Sequence, residues 1–335
     1  MSLAGSANAQ GKLWLLGDRY LEVDSELTGD DVQAKWVPGI FKEIIGDALP
    51  KKKASLNVLI ISATDNGPVM APTLEAIDDE LEALKFDEEQ IEKSVTVKNA
   101  EELQPSPNDR SGDIIEIKNA HLVWLIDGTT EDYVEDLSDL AATVIANHFS
   151  DGGVVVGQGR AVSLFGEVFL NEHSGNTLKL PAALSDPTPG SQVPNVTMGD
   201  AVFEAGFLTL LPGTVIAPNF LSKGRLGLMP VILAKFASQP LPLDLLAIGV
   251  ADATALRVDN GVALVFGGGS VTFQHAIDGE TVFEIADGKT PHITDLRHHQ
   301  FTEGYEFDVN NLTVLAVPDS ADDLSANPDL TKNAV

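Results

Sequence analysis

Gly153-Val154-Val155-Val156-Gly157-Gln158-Gly159-Arg160-Ala161 is the stretch on which the fold turns. It starts as a short run of β-branched residues with no polar alternation, the pattern of a strand buried on both faces. Gly157 and Gly159 stand at the carboxyl end of that strand. Upstream, His121-Leu122-Val123-Trp124-Leu125-Ile126 is another such run, closing at Asp127-Gly128, and the acidic segment Glu131 to Asn147 between the two has helical patterning. Strand, helix and strand at these lengths make the unit of a parallel sheet.

Further out the same alternation continues. Lys12-Leu13-Trp14-Leu15-Leu16 ends at Gly17, Val58-Leu59-Ile60-Ile61-Ser62 ends in a polar turn, and Val95 to Lys98 is a short strand. Asp31 to Leu49 has helical spacing, as does Met70 to Leu84, where Leu74, Ile77, Leu81 and Leu84 share a face. The chain therefore reads as α/β: a three-layer sandwich with a mostly parallel central sheet. In such sheets ligands bind beyond the carboxyl ends of the strands, which marks Gly17, Ser62, Asp127 and Gly157. The second half differs. Ser185 to Gln192 reads as a loop, and Ala247 to Phe273 reads as strands joined at a tight Asp259-Asn260-Gly261 turn, hence C-terminal β-hairpins. Residues 1–9 read as a leader, 10–317 as one α/β domain and 318–335 as a polar tail, with no internal repeat or heptad.

Composition narrows the function. Fifty acids against 21 bases leave a net charge of −29 and a pI near 4.3. Such a surface repels phosphate backbones and anionic lipid, so neither nucleic acid nor a membrane is expected as a partner. No stretch approaches the roughly 18 uninterrupted apolar residues of a membrane span. With no cysteine, disulfides, thiolate nucleophiles and cysteine-based metal sites are excluded. The carboxylates of Asp127, Glu131, Asp132, Glu135 and Asp136 lack the loop spacing of a calcium site and read as a solvated helix face, so no metal or cofactor is expected. Ala7-Asn8-Ala9 fits a small-x-small signal-peptidase site before Gln10. Met1-Ser2-Leu3 reads as an appended start, so a secreted or periplasmic protein is expected.

Several later segments occur in a telling order. Ala205-Gly206-Phe207 and Leu211-Pro212-Gly213 precede Phe220-Leu221-Ser222-Lys223-Gly224-Arg225-Leu226-Gly227, then Ala247 to Leu256, Gly267 to Thr272, and Leu296 to Asp308. This order resembles the cyanophycinase family, with its catalytic His-Phe pair, arginine- and glycine-rich helix start, glutamate-bearing strand and closing strand pair. In the first half, Gly11 to Gly17 and Gly153 to Gly157 fall where that family has its first strand and its nucleophile strand. The resemblance implies a class I glutamine amidotransferase-like fold, usually dimeric. It also implies a serine peptidase acting on the β-aspartyl-arginine polymer cyanophycin or on aspartyl dipeptides.

The same alignment implies a degenerate site. The family's nucleophilic serine falls on Gly159, its basic histidine on Asn219 and its glutamate on Asp252, while Gln158 and Arg160 also depart from the pattern. An amide cannot take up a proton at neutral pH. The substrate-binding turn falls on Asp127-Gly128-Thr129-Thr130, without the family's acid and amide. Asp127, Gly128, Thr129, Thr130, Gly157, Gln158 and Arg160 are therefore the candidate pocket residues. Arg160, at a helix start, adds positive charge where backbone N–H groups already favour anions. The expected protein is catalytically silent, a homodimer, with a cleft for a small anionic or peptide ligand. Two rivals stand beside it: a hydrolase using Ser163, Ser222 or Thr130 as a displaced nucleophile, and a purely structural role. His298 and His299, adjacent on a strand, are expected to face opposite ways.

Overall fold

The first half lays down five parallel strands: β1 (Lys12–Leu16), β2 (Val58–Ser62), β3 (Val95–Asn99), β4 (Leu122–Ile126) and β5 (Val154–Gln158). The computed structural model describes residues 11–17, 39–50, 55–64, 69–103, 112–126, 128–171, 196–198, 201–221, 225–238, 244–284 and 291–318. The leader, the Ser185 to Gln192 loop and the tail beyond Pro318 lie outside them. All residues of β2, β4 and β5 are buried, as their unbroken apolar runs require. The connecting helices are α1 (Ile40–Ala48), α2 (Met70–Ala83), α3 (Glu88–Ser94), α4 (Gly112–Asn119), α5 (Thr130–Asp136) and α6 (Asp139–Ser150).

The later strands are β6 (Gly166–Asn171), β7 (Val196–Met198), β8 (Ala201–Ala205), β9 (Leu211–Pro218), β10 (Leu246–Val250), β11 (Thr254–Asp259), β12 (Val262–Gly267) and β13 (Val271–His275). A small hairpin, β14 (Val282–Glu284) with β15 (His292–Thr294), precedes β16 (Arg297–Phe301), β17 (Glu306–Asp308) and β18 (Thr313–Ala316). A further helix, α7 (Leu228–Ala237), joins β9 to β10.

The strands form a nine-stranded sheet in the order β18-β17-β12-β11-β1-β5-β4-β2-β3 and a seven-stranded sheet in the order β16-β13-β10-β9-β6-β8-β7. The expected α/β sandwich is present. One face of the large sheet is covered by α1 and α2 through Trp14, Ile44, Ile60, Ile77 and Trp124. The other face shares one core with α4, α6 and the second sheet, from Val123 and Ile145 to Ile248 and Phe273. That second sheet is an additional layer. It in turn packs Val215, Ala217 and Ala247 against Leu228, Ile232 and Phe236 of α7.

The expected hairpins hold the turn read for them. Asn260 and Gly261 both take positive φ, 50° and 80°, as a two-residue hairpin turn requires. The Glu131 to Asn147 helix is corrected. It breaks at Ser138, whose Oγ accepts from Ala141 N at 3.2 Å and donates to Leu103 O at 2.9 Å, so a fresh N-cap starts α6. His298 and His299 do face opposite ways: Nδ1 of His298 lies 3.0 Å from Gln274 Nε2, while the His299 ring stacks on Phe301 at 5.6 Å.

Candidate functional site

The carboxyl ends of the parallel strands meet at one edge. β5 runs between β1 and β4, with Gln158 opposite Leu16 and Gly157 opposite Leu125. The chain leaves β5 at Gln158, φ −126°, enters Gly159 at φ +60°, and continues as a 3-10 helix over Gly159–Phe165. A strand, one left-handed residue and a helical turn make the elbow geometry that displays a side chain above a sheet. Here the displaying position is a glycine. The Phe165 ring folds back over Gly157, where a Cβ would overlap it, and this clamps the turn from behind.

The other two aligned positions come to the same region from the second sheet. Asn219 follows β9 at φ +52° and is buried. Its neighbour Phe220 donates its N–H to Val250 O at 3.1 Å and lays its ring on Gly249, where no Cβ would fit. Asp252 lies two residues past β10, the parallel neighbour of β9. Its carbonyl accepts from Thr254 Oγ1 at 3.1 Å, and Thr254 O accepts from Gly17 N at 2.9 Å, beyond the end of β1. Gly17 itself rests on the Ala251 carbonyl. The elbow, Asn219 and Asp252 are thus brought to neighbouring strand ends by the β10–β11 crossover.

A small cleft, partly open to solvent, lies beside the elbow. Among the described residues, four with polar side chains line it: Thr130, Arg160, Ser163 and Arg225. Arg225 is buried, and its Nη1 donates to Pro218 O at 2.9 Å. Thr130 Oγ1 donates to Leu170 O at 2.9 Å, so its proton is committed to the backbone of β6. Phe203, Val215, Ala217, Leu228, Met229 and Ile232 supply most of the apolar wall. No His, Asp, Glu or Lys among the described residues lines this cavity.

Of the expected pocket residues, Thr130 and Arg160 line the cavity. Gln158 does not. β5 alternates, so Gln158 points to the α1 face, where its Oε1 accepts from Trp124 Nε1 at 3.2 Å and its Nε2 is buried without a partner. Thr129 is spent as a helix cap: its Oγ1 accepts from Asp132 N at 3.1 Å and Asp132 Oδ2 accepts from Thr129 N at 2.6 Å. Gly128, at φ +98°, fits tightly against Ala63, and Gly157 lies under Phe165. Asp127 and Ser222 lie outside the described residues. Arg225 and the α7 wall were not among the expected site residues. The only sequence signal for Arg225 was its place in the Gly224-Arg225-Leu226-Gly227 run.

The described histidines lie away from this edge. His121 precedes β4, and its Nδ1 accepts from Asn57 N at 3.0 Å. His148 Nε2 is 3.3 Å from Val154 O at the start of β5. His275 and His298 lie near the start of β10, opposite its Val250 end, because Gln274 pairs with both Ala247 and His298. Burial holds His148, His275, His298 and His299 below the ordinary histidine pKa, so their neutral form is favoured.

Among solved structures, the chain is similar to a peptidase from an acI-B1 Actinobacterium, with a TM-score of 0.51 and 15% identity over 90% of this chain and 98% of that one. It is also similar to a putative peptidase E protein from Listeria monocytogenes EGD-e, with a TM-score of 0.40 and 10% identity over 78% of this chain and 100% of that one. No family model and no curated protein matches the chain. At 15% identity the likeness to the first of these is one of fold alone, a mixed α/β architecture.

Proposed function

We propose that this protein is a secreted, cyanophycinase-like member of the peptidase fold that no longer hydrolyses peptides and instead holds a small anionic ligand beside the elbow. The observation that carries this reading is the lining of the cavity. Among the described residues, two arginines, a serine and a threonine are the polar residues that line it, with no histidine, carboxylate or lysine. Acyl transfer by a hydroxyl needs a neighbouring base to take its proton. Ser163 lines the cavity, but no described residue lining it can act as that base. The glycine at the elbow and the asparagine in the histidine's aligned place support the same conclusion from separate segments.

The test is a turnover assay with cyanophycin and β-aspartyl dipeptides. Product release should not exceed that of a heat-killed sample. Turnover above it, abolished by Ser163→Ala, would instead establish the displaced-nucleophile hydrolase.

A further inference from the structure

We propose that β16 is an acid-released strand: as pH falls, it lets go of β13 while the rest of the molecule stays folded. The inference is independent of what the elbow holds.

β16 lies at an edge of the second sheet, and among the described residues β13 is its one strand partner. Three of the chain's seven histidines lie on this seam, His275 on β13 and His298 and His299 on β16. Neither strand carries an Asp or Glu, in a chain that has 50 of them. The seam can take up protons but has no carboxylate of its own to receive the new N–H groups.

Both faces of the seam lose something on protonation. On the inner face, His275 stands opposite Arg297, and Phe273 opposite His299. The His275 and His299 rings lie 6.3 Å apart and nearly parallel, with His299 against Phe301 and Phe307. The Ala276 carbonyl, 2.8 Å away, takes the Nδ1 proton of His275, which leaves Nε2 as the bare nitrogen. That Nε2, like the Nε2 of His299, is buried without a partner. A proton on either sets a charge and an unmet donor between two sheets. Arg297 adds a like charge from β16 itself, and β17 turns its buried Phe307 inward, with Glu306 and Asp308 alternating away. Asp244, ahead of β10, offsets part of this at His275.

On the other face, Gln274 opposes His298, whose Nδ1 accepts from Gln274 Nε2 at 3.0 Å. A proton at that Nδ1 sets two donors face to face. Flipping the amide sacrifices a second bond, because the same Nε2 donates to Leu226 O at 3.4 Å. Release is local because support is uneven. β10 is held on both sides, by β9 and β13, whereas β16 is held on one.

Hydrogen exchange of the full chain, read by mass spectrometry from about pH 7.5 to about pH 5 and corrected for intrinsic rates, tests the proposal. Protection across Arg297–Phe301 should fall at least about tenfold over that range, since each proton taken up on opening contributes up to tenfold per pH unit. β10 and β4 should keep their protection, and return to neutral pH should restore that of β16. His299→Phe, which extends the aromatic ladder, and His298→Asn, which keeps an acceptor for Gln274, should each shrink the fall severalfold. His292→Asn, at an exposed position outside the seam, should leave it unchanged.

An unchanged β16 at the acid end of the range overturns the proposal. So does loss of protection in β10 and β4 together with β16, or an undiminished fall in both seam variants.

Discussion

Gly159 and Gly157 stand two residues apart and do different jobs. Gly159 carries the left-handed φ of the elbow, which an L-residue adopts at about 1 kcal/mol more than glycine. Gly157 has no such φ, but its missing Cβ is where Phe165 packs. The two sites should therefore respond differently to substitution. Gly159→Ser is expected to lower stability by about 1 kcal/mol and to leave the chain without peptidase activity, since a hydroxyl alone gains no base. Gly157→Ala should cost about 2–3 kcal/mol by overpacking and should displace the elbow helix. Chemical denaturation of the two variants, with the dipeptide assay, checks both outcomes. Sequence reading saw both glycines but could not separate them, because a close packing partner eight residues away leaves no local signature.

At the scale of elements, the helices show where pattern reading ended. The acidic segment after β4 has helical periodicity throughout, yet it forms α5 and α6 with Ser138 between them. The Ser138 hydroxyl both caps α6 and reaches Leu103 O, so it ties the break to the turn after β3. Ser138→Ala should destabilise the protein by about 1 kcal/mol, read as a lower denaturation midpoint with an unchanged slope. A larger loss would mean that the two helices move as one body. The strands were more legible than the helices. β4 and β5 are buried on both faces and read as unbroken apolar runs, whereas the helix break depends on one hydroxyl finding a distant carbonyl.

For the whole molecule, protonation is a lever on stability. His148, His275, His298 and His299 are all held below the ordinary histidine value, with burial the largest cause. Arg297 adds to this at His275 and His299. The unfolded chain therefore binds protons that the folded one resists. The stability these groups contribute is fully present above about pH 6.5 and is lost as pH falls through their depressed values. Asp78 and Asp136 are raised, first by burial and then by neighbouring carboxylates such as Glu82 and Glu101. They favour the folded state on acidification, but only nearer the carboxylate range. Thermal unfolding should thus be flat from pH 7 to 8 and decline between about pH 6.5 and 5. His299→Phe, in a ladder already built from Phe273, Phe301 and Phe307, should flatten that decline.

The sequence by itself determined the parallel sheet, the elbow turn, the hairpin at Asn260-Gly261 and the opposed faces of His298 and His299. Each of these follows from local pattern: apolar runs, glycine at a positive φ, and the period of two along a strand. Only the tertiary structure decided which side chains line the cavity. Gln158 belongs to the helix-covered face because of strand alternation at one register, and Thr129 is spent on Asp132. Arg225 lines the same cavity as Arg160 because α7 and its preceding turn pack on the second sheet, 65 residues along the chain. The elbow keeps its shape because backbone conformation is written locally. The cavity beside it is assembled from five or more elements, and no spacing along the chain encodes which side chains will line it.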